Sequence, residues 1–215
     1  MRHRWSRQTI LDAAVELVSN AGGVDSFSMR KLAAELGTDS SSLYRHFRNR
    51  TELLLAVIDH VLIQAMAGYQ RRGDWRERIT EVALRVWDAH AALPQLAADF
   101  SRYPASGPGT RLVIEELLQA LHDAGVPEER VPEWYQRLAT MAVSLISAHA
   151  AARTRGPREV EQGLETFRVI TLGADPVGFP ALARYGPRIA PVGFDRDGFR
   201  ATVEVLLDSV PAGRG

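Results

Sequence analysis

The chain has 215 residues, 46% hydrophobic and 24% charged, a composition that suits one large globular domain or a small one joined to a larger. It has no cysteine, which excludes disulfides, thiolate metal sites and thiol redox sensing, and no apolar run near the ~18 residues of a membrane span. Lys and Arg total 26, as do Asp and Glu, but residues 1–50 hold eight of the bases against five acids. The positive excess is therefore segregated at one end, as expected if only that part meets phosphate. The opening MRHRWSRQ is basic but lacks the apolar stretch of a secretion signal, so a cytoplasmic protein without a membrane partner is expected.

Helical periodicity runs through nearly the whole chain. Ile10, Ala14, Leu17, Val18 and Ala21 share a face, after Ser6 as an N-cap and before the stop at Gly22-Gly23. A short helix over Ser28 to Leu36 turns Leu32, Ala33 and Leu36 inward, and Gly37 supplies the left-handed residue that ends it. A third helix is expected over 40–47. A long fourth opens on the capping box Asn49-Arg50-Thr51-Glu52 and buries Leu54, Val57, Ile58, Val61, Leu62 and Ala65. Gly68 and Gly73 bracket a polar break, which divides the chain into residues 1–67 and 68–215.

Asp74-Trp75-Arg76-Glu77 starts a helix that runs to about Ala92, before Pro94. Further helices are expected over Pro94 to Tyr103, over 110–124, over 128–155 and over 157–171. Four prolines and five glycines within 173–198 predict mostly irregular chain, closed by a last amphipathic helix with Phe199, Val203, Leu206 and Leu207. No stretch alternates as a strand would, so the fold class is all-α.

Two short helices joined at Gly37 have the layout of a helix-turn-helix, whose second helix enters the DNA major groove. At about 100° per residue, Leu43 and Phe47 define the inward side of that helix, while Ser41 and Arg45 point outward with Ser42 beside them. Small hydroxyls at Ser40, Ser41 and Ser42 permit close approach to the bases, and Arg45 can contact a guanine through two hydrogen bonds. Tyr44 and His46 project on the flanks toward phosphates. Asp39, as N-cap, spends its carboxylate on backbone N–H groups. Arg50 lies in the first turn of the next helix, where free N–H groups also favour a phosphate.

The patterns ILDAAVELVSNAG, SMRKLAAELG and SLYRHFRNRTELL resemble the TetR family of bacterial repressors over about residues 6–66. The resemblance implies an N-terminal three-helix DNA-binding domain, joined by a long helix to a helical effector-binding and dimerisation domain. It implies base reading by Arg30, Ser41, Ser42 and Arg45, and phosphate contacts from Ser28, Tyr44, His46 and Arg50. Met29 and Thr38 depart from it: the first stands where a polar donor is common, the second where an aliphatic residue is usual. Arg2, Arg4 and Arg7 suit either an arm on the DNA or a basic tail.

The resemblance further implies a homodimer on double-stranded operator DNA, with Leu138, Leu145 and Ala148 and the last helix as candidate interface residues. Trp87, His90, Phe100, Tyr103, Trp134 and Met141 are candidates for the lining of a small-molecule pocket. The effector itself is unknown. Neither a metal site nor a cofactor is expected, because His90 and His149 lack ligand partners at helical spacing. Enzymatic activity is not expected either, in the absence of a phosphate-binding glycine loop or a nucleophile elbow. A helical adaptor that meets an acidic protein is the other reading of the basic end.

Overall fold

A computed structural model describes residues 5–20, 27–97, 107–189 and 195–211. All regular structure among these residues is helical. The first helix, α1 (Arg7–Asn20), is capped by Ser6, whose Oγ accepts from the Thr9 N–H at 3.0 Å. It packs against α2 (Met29–Glu35), α3 (Ser40–Tyr44) and α4 (Arg50–Met66) around Ile10, Ala14, Phe27, Leu32, Leu43, Phe47, Leu53 and Leu54, all buried. Gly37, at φ 62°, makes the turn between α2 and α3.

The remaining helices are α5 (Trp75–Ala91), α6 (Pro94–Ala97), α7 (Pro108–Asp123), α8 (Val131–Arg153), α9 (Pro157–Leu172), α10 (Pro180–Tyr185) and α11 (Arg196–Asp208). Asp74 and Glu77 complete the expected capping box of α5. A second core collects Ile79, Trp87, Leu121, Leu138, Phe199 and Val203 from α5, α7, α8 and α11. Leu93 and Leu96 cross to the first core, so the two cores are bolted together at the α5–α6 corner.

Several expectations change. Helix α3 ends at Tyr44 rather than 47, although Leu43 and Phe47 are buried as the angle argument requires. Asn49 caps α4 by accepting from the Glu52 N–H at 2.8 Å, but Glu52 returns to the Arg48 N–H instead of to Asn49. The expected helix over Pro94 to Tyr103 is described only to Ala97, and Gly22-Gly23 also falls outside the described residues. The 173–198 stretch is not wholly irregular, since Pro180 at an N-terminal position starts α10 and a 3-10 turn follows over Gly186–Arg188.

The single chain places the dimerisation candidates unevenly. Leu138, Phe199, Val203 and Leu207 are all buried within the single chain, and Leu145 and Leu206 are half-buried against the same core. Only Ala148 is exposed. The amphipathic stripe of α11 thus faces α5 and α8 of its own chain. By contrast, α9 and α10 pack mainly on each other and on the 3-10 turn, and leave Val169, Ile170, Leu172 and Phe179 open to solvent.

Candidate nucleic-acid interface and effector cavity

The recognition segment is built from its caps upward. Asp39 Oδ1 accepts from the Ser42 N–H at 3.0 Å and from the Ser41 hydroxyl, with the Ser42 hydroxyl at 3.5 Å. The Ser41 hydroxyl and then the Ser42 amide hold the Asp39 carboxyl below its ordinary pKa. Both serine hydroxyls therefore turn back toward the cap, which leaves their oxygen lone pairs for outside donors. Ser41, Tyr44 and Arg45 are exposed, while Ser40, Ser42 and His46 are half-exposed. Ser28 Oγ caps α2 by accepting from the Lys31 N–H at 3.2 Å, and its own proton remains available to a phosphate.

The arginines divide into two kinds. Arg30 and Arg45 are exposed, and among the described residues no hydrogen bond or ion pair engages their side chains. Arg7 and Arg50 act inside the fold. Arg7 is the first residue of α1 rather than part of an arm; its Nη1 donates to the His46 carbonyl at 2.8 Å, and its guanidinium lies 4.3 Å from the Phe47 ring centre. Arg50 Nε donates to the Phe27 carbonyl at 3.1 Å. Each clamps the recognition helix or its neighbour from behind. Arg2 and Arg4 lie outside the described residues. Met29 is buried in the first core, so a polar donor at its position would not reach DNA; Thr38 is half-buried.

Helix α4 leaves this segment and is gripped along its length. His60 is buried, and its Nε2 lies 2.9 Å from Asp12 Oδ1 and 2.9 Å from the Gln64 side-chain amide. Arg85 Nη1 donates to the Ala65 carbonyl at 2.8 Å, which satisfies one of the orphan acceptors at the helix end. Asp59, also buried, reaches sideways and accepts from the Thr110 N–H at 3.0 Å and from its hydroxyl at 3.3 Å. Its carboxyl thereby caps α7 from another helix. Gly107 and Gly109 make this possible: a Cβ at Gly107 would fall 2.1 Å from the Asp59 carboxyl carbon, and one at Gly109 would fall 2.4 Å from the Asp59 carbonyl oxygen.

Helix α7 is also tied to the segment that follows α4 and to α5. Glu116 accepts from Tyr69 at 2.7 Å, from Arg71 at 2.8 Å and from Arg78 at 2.7 Å. Burial alone would raise the Glu116 carboxyl, but these donors outweigh it and hold it below the usual range. Burial, and then Glu116, push the Tyr69 phenol up to about 12.

A cavity of about 270 Å³ opens among α4, α5, α7, α8 and α11. Leu62, Val86, Thr110, Val113, Tyr135, Met141 and Ile146 are among its walls. Of the sequence-based pocket candidates, Met141 lies on it. Trp87 does not: it stacks 4.6 Å from the Phe199 ring and 4.6 Å from His149 in the core. Trp134 is buried under the Arg137 guanidinium at 4.5 Å, and His90 bonds the Val86 carbonyl at 2.7 Å. Trp87 and Trp134 fill the second core, and the described walls of the void are mostly smaller aliphatic residues. Phe100 and Tyr103 lie outside the described residues. Among the described residues no cluster of His and acids is arranged to hold a metal, and no helix is long and apolar enough to cross a membrane.

Family comparisons match this arrangement in both halves. Residues 10–57 match the model of bacterial regulatory proteins of the tetR family, and residues 67–212 match the tetracyclin repressor-like C-terminal domain. The chain belongs to the TetR family. A TetR-fold neighbour, a putative transcriptional regulator of Streptomyces coelicolor A3(2), is 47% identical with a TM-score of 0.82, over 97% of this chain and 98% of its own. An HTH-type transcriptional regulator of Saccharopolyspora erythraea is 28% identical over 83% of this chain and 73% of its own length. ActR of Streptomyces coelicolor, solved in complex with actinorhodin, is 24% identical with a TM-score of 0.82 over 100% and 99% of the two chains, and shares the fold. As a TetR-family member, the chain is a helix-turn-helix transcriptional regulator, and its relatives are regulators rather than enzymes.

Proposed function

We propose that this TetR-family regulator is a repressor that binds a palindromic operator as a homodimer and releases it when a small molecule fills the cavity. The observation that carries this reading is the two-sided recognition helix. Leu43 and Phe47 are sunk in the core, while Ser41, Tyr44 and Arg45 stand outward, as does Arg30 at the start of α2. Residues 1–67 form the DNA-binding part and 68–215 the effector and dimer part, in a cytoplasmic protein. Arg30, Arg45 and Ser40–Ser42 read bases, and Ser28, Tyr44, His46 and Arg50 hold phosphates. A second copy of the chain is the natural cover for the apolar residues left open on α9 and α10.

Release follows from a shared residue. Thr110 belongs to the cavity wall and also holds Asp59 on α4, while Leu62, one turn beyond Asp59, lies on the same wall. A ligand that displaces either one shifts α4, and with it the spacing of the two recognition helices.

Selection of bound sequences from random duplex DNA, followed by footprinting, tests the reading. Two inverted half-sites about one helical turn apart are expected. No enrichment, or enrichment of a single unrepeated site, would overturn it.

A further inference from the structure

The geometry points to a neutral, predominantly apolar ligand for the cavity, a conclusion that rests on the effector reading above. Among the described residues its walls carry no charged side chain. Among the described wall residues, the side chains that carry a hydroxyl are Thr110 on α7 and Tyr135 on α8. The Thr110 hydroxyl gives its proton to Asp59, so it offers the ligand a lone pair. Burial raises the Tyr135 phenol above its ordinary value, so it stays protonated and offers a donor. The site thus matches an apolar body with one group that donates and one that accepts.

Ionic ligands meet a different situation. Arg78, a buried arginine on α5, is committed to Glu116 and Asp123, and Glu116 is itself committed to Tyr69, Arg71 and Arg78. Arg85 on α5 is held by Glu81 and by the Ala65 carbonyl. Asp59 stands behind Thr110, occupied with the α7 N-terminus, and is not part of the wall. A charged ligand would lose its hydration with no opposite charge on the described walls to replace it, which is costly in a wall of this kind. The volume of 270 Å³ sits at the lower edge of the ~300–1,000 Å³ typical of small-molecule sites, and so favours a compact ring system or short chain.

A matched pair of fluorescent probes separates the alternatives. N-phenyl-1-naphthylamine is neutral, and 1-anilinonaphthalene-8-sulfonate adds a sulfonate to the same rings. Titrated into the full chain without DNA, the neutral probe should saturate at one per chain and bind at least ~10-fold more tightly than the sulfonate. Ala142→Phe, which places a ring in the void from α8, should remove the neutral site; Ala83→Phe does the same from α5 and serves if the first variant loses its helix content by circular dichroism. Equal or tighter binding of the sulfonate, no saturable binding of either probe, or neutral binding that survives both substitutions would each overturn the inference. Because no DNA is present, these outcomes leave the operator reading to its own test, where a selected palindrome could coexist with a failed titration.

Discussion

Replacing Asp59 by alanine removes a buried N-cap that one helix supplies to another. Loss of a side-chain cap costs ~0.5–2 kcal/mol. The Thr110 N–H left without its acceptor adds ~1–3 kcal/mol, since Asp59 is only 7% exposed and water does not readily replace it. Alanine returns roughly 0.5 kcal/mol through its higher propensity in the middle of α4. The net is ~3 kcal/mol, or ~6–12 °C in melting temperature for a chain of this size. Asp59→Asn keeps an oxygen for the Thr110 N–H and loses only the favourable charge at the α7 N-terminus, so it should cost ~0.3–1 kcal/mol. Thermal denaturation by circular dichroism separates the two variants. Operator binding, with and without the neutral probe, then gives the coupling factor, which should fall toward one in the alanine variant while the probe still binds. A melting point within ~1 °C of the parent, or an Asn variant as damaged as the Ala one, would refute the capping argument. Unchanged coupling in a variant that melts as expected would refute the α7-to-α4 route.

Gly109→Ala perturbs the same contact by overpacking: the new Cβ would meet the Asp59 carbonyl oxygen at 2.4 Å and force α4 and α7 apart. A stability loss of ~1–3 kcal/mol is expected, with weakened operator binding even without ligand, checked by denaturation and gel shift. Arg45→Ala and Arg30→Ala should each cost ~1–3 kcal/mol on the selected operator and little on random duplex, so a uniform loss on both would reassign them to phosphate. Arg50→Ala should lower the melting point as well as binding to all duplexes, because its guanidinium holds the Phe27 carbonyl; a purely DNA-dependent effect would show that clamp to be dispensable. Burial holds the His90 pKa below its ordinary value, so the folded chain resists a proton that the unfolded chain accepts. Stability should therefore fall as pH drops below about 6.5, by up to ~1.4 kcal/mol per pH unit, and this slope should be absent in His90→Gln.

The N-terminal half was legible because each of its signals is local. Ser6 and Asp39 cap within three residues of themselves, Gly37 needs its own positive φ, and Leu43 and Phe47 follow from helical period alone. The cavity was not legible, for the opposite reason. Its walls come from five helices spread from Leu62 to Val203, and most are ordinary aliphatic residues whose distinction is an absence of neighbours, which no periodicity encodes. Large aromatics at Trp87 and Trp134 suggested a pocket, yet their size is what makes them fill the core. The same limit hid the coupling contact. Asp59 sits in an apolar stretch of α4, and only the tertiary approach of the Gly107-Pro108-Gly109 turn makes it a cap. A lone acid on the buried face of one helix and a glycine pair at the start of another were both visible in the sequence. Their pairing carries the regulatory proposal because neither has a local purpose: the acid costs stability without a donor, and the turn forfeits side chains unless another helix comes close.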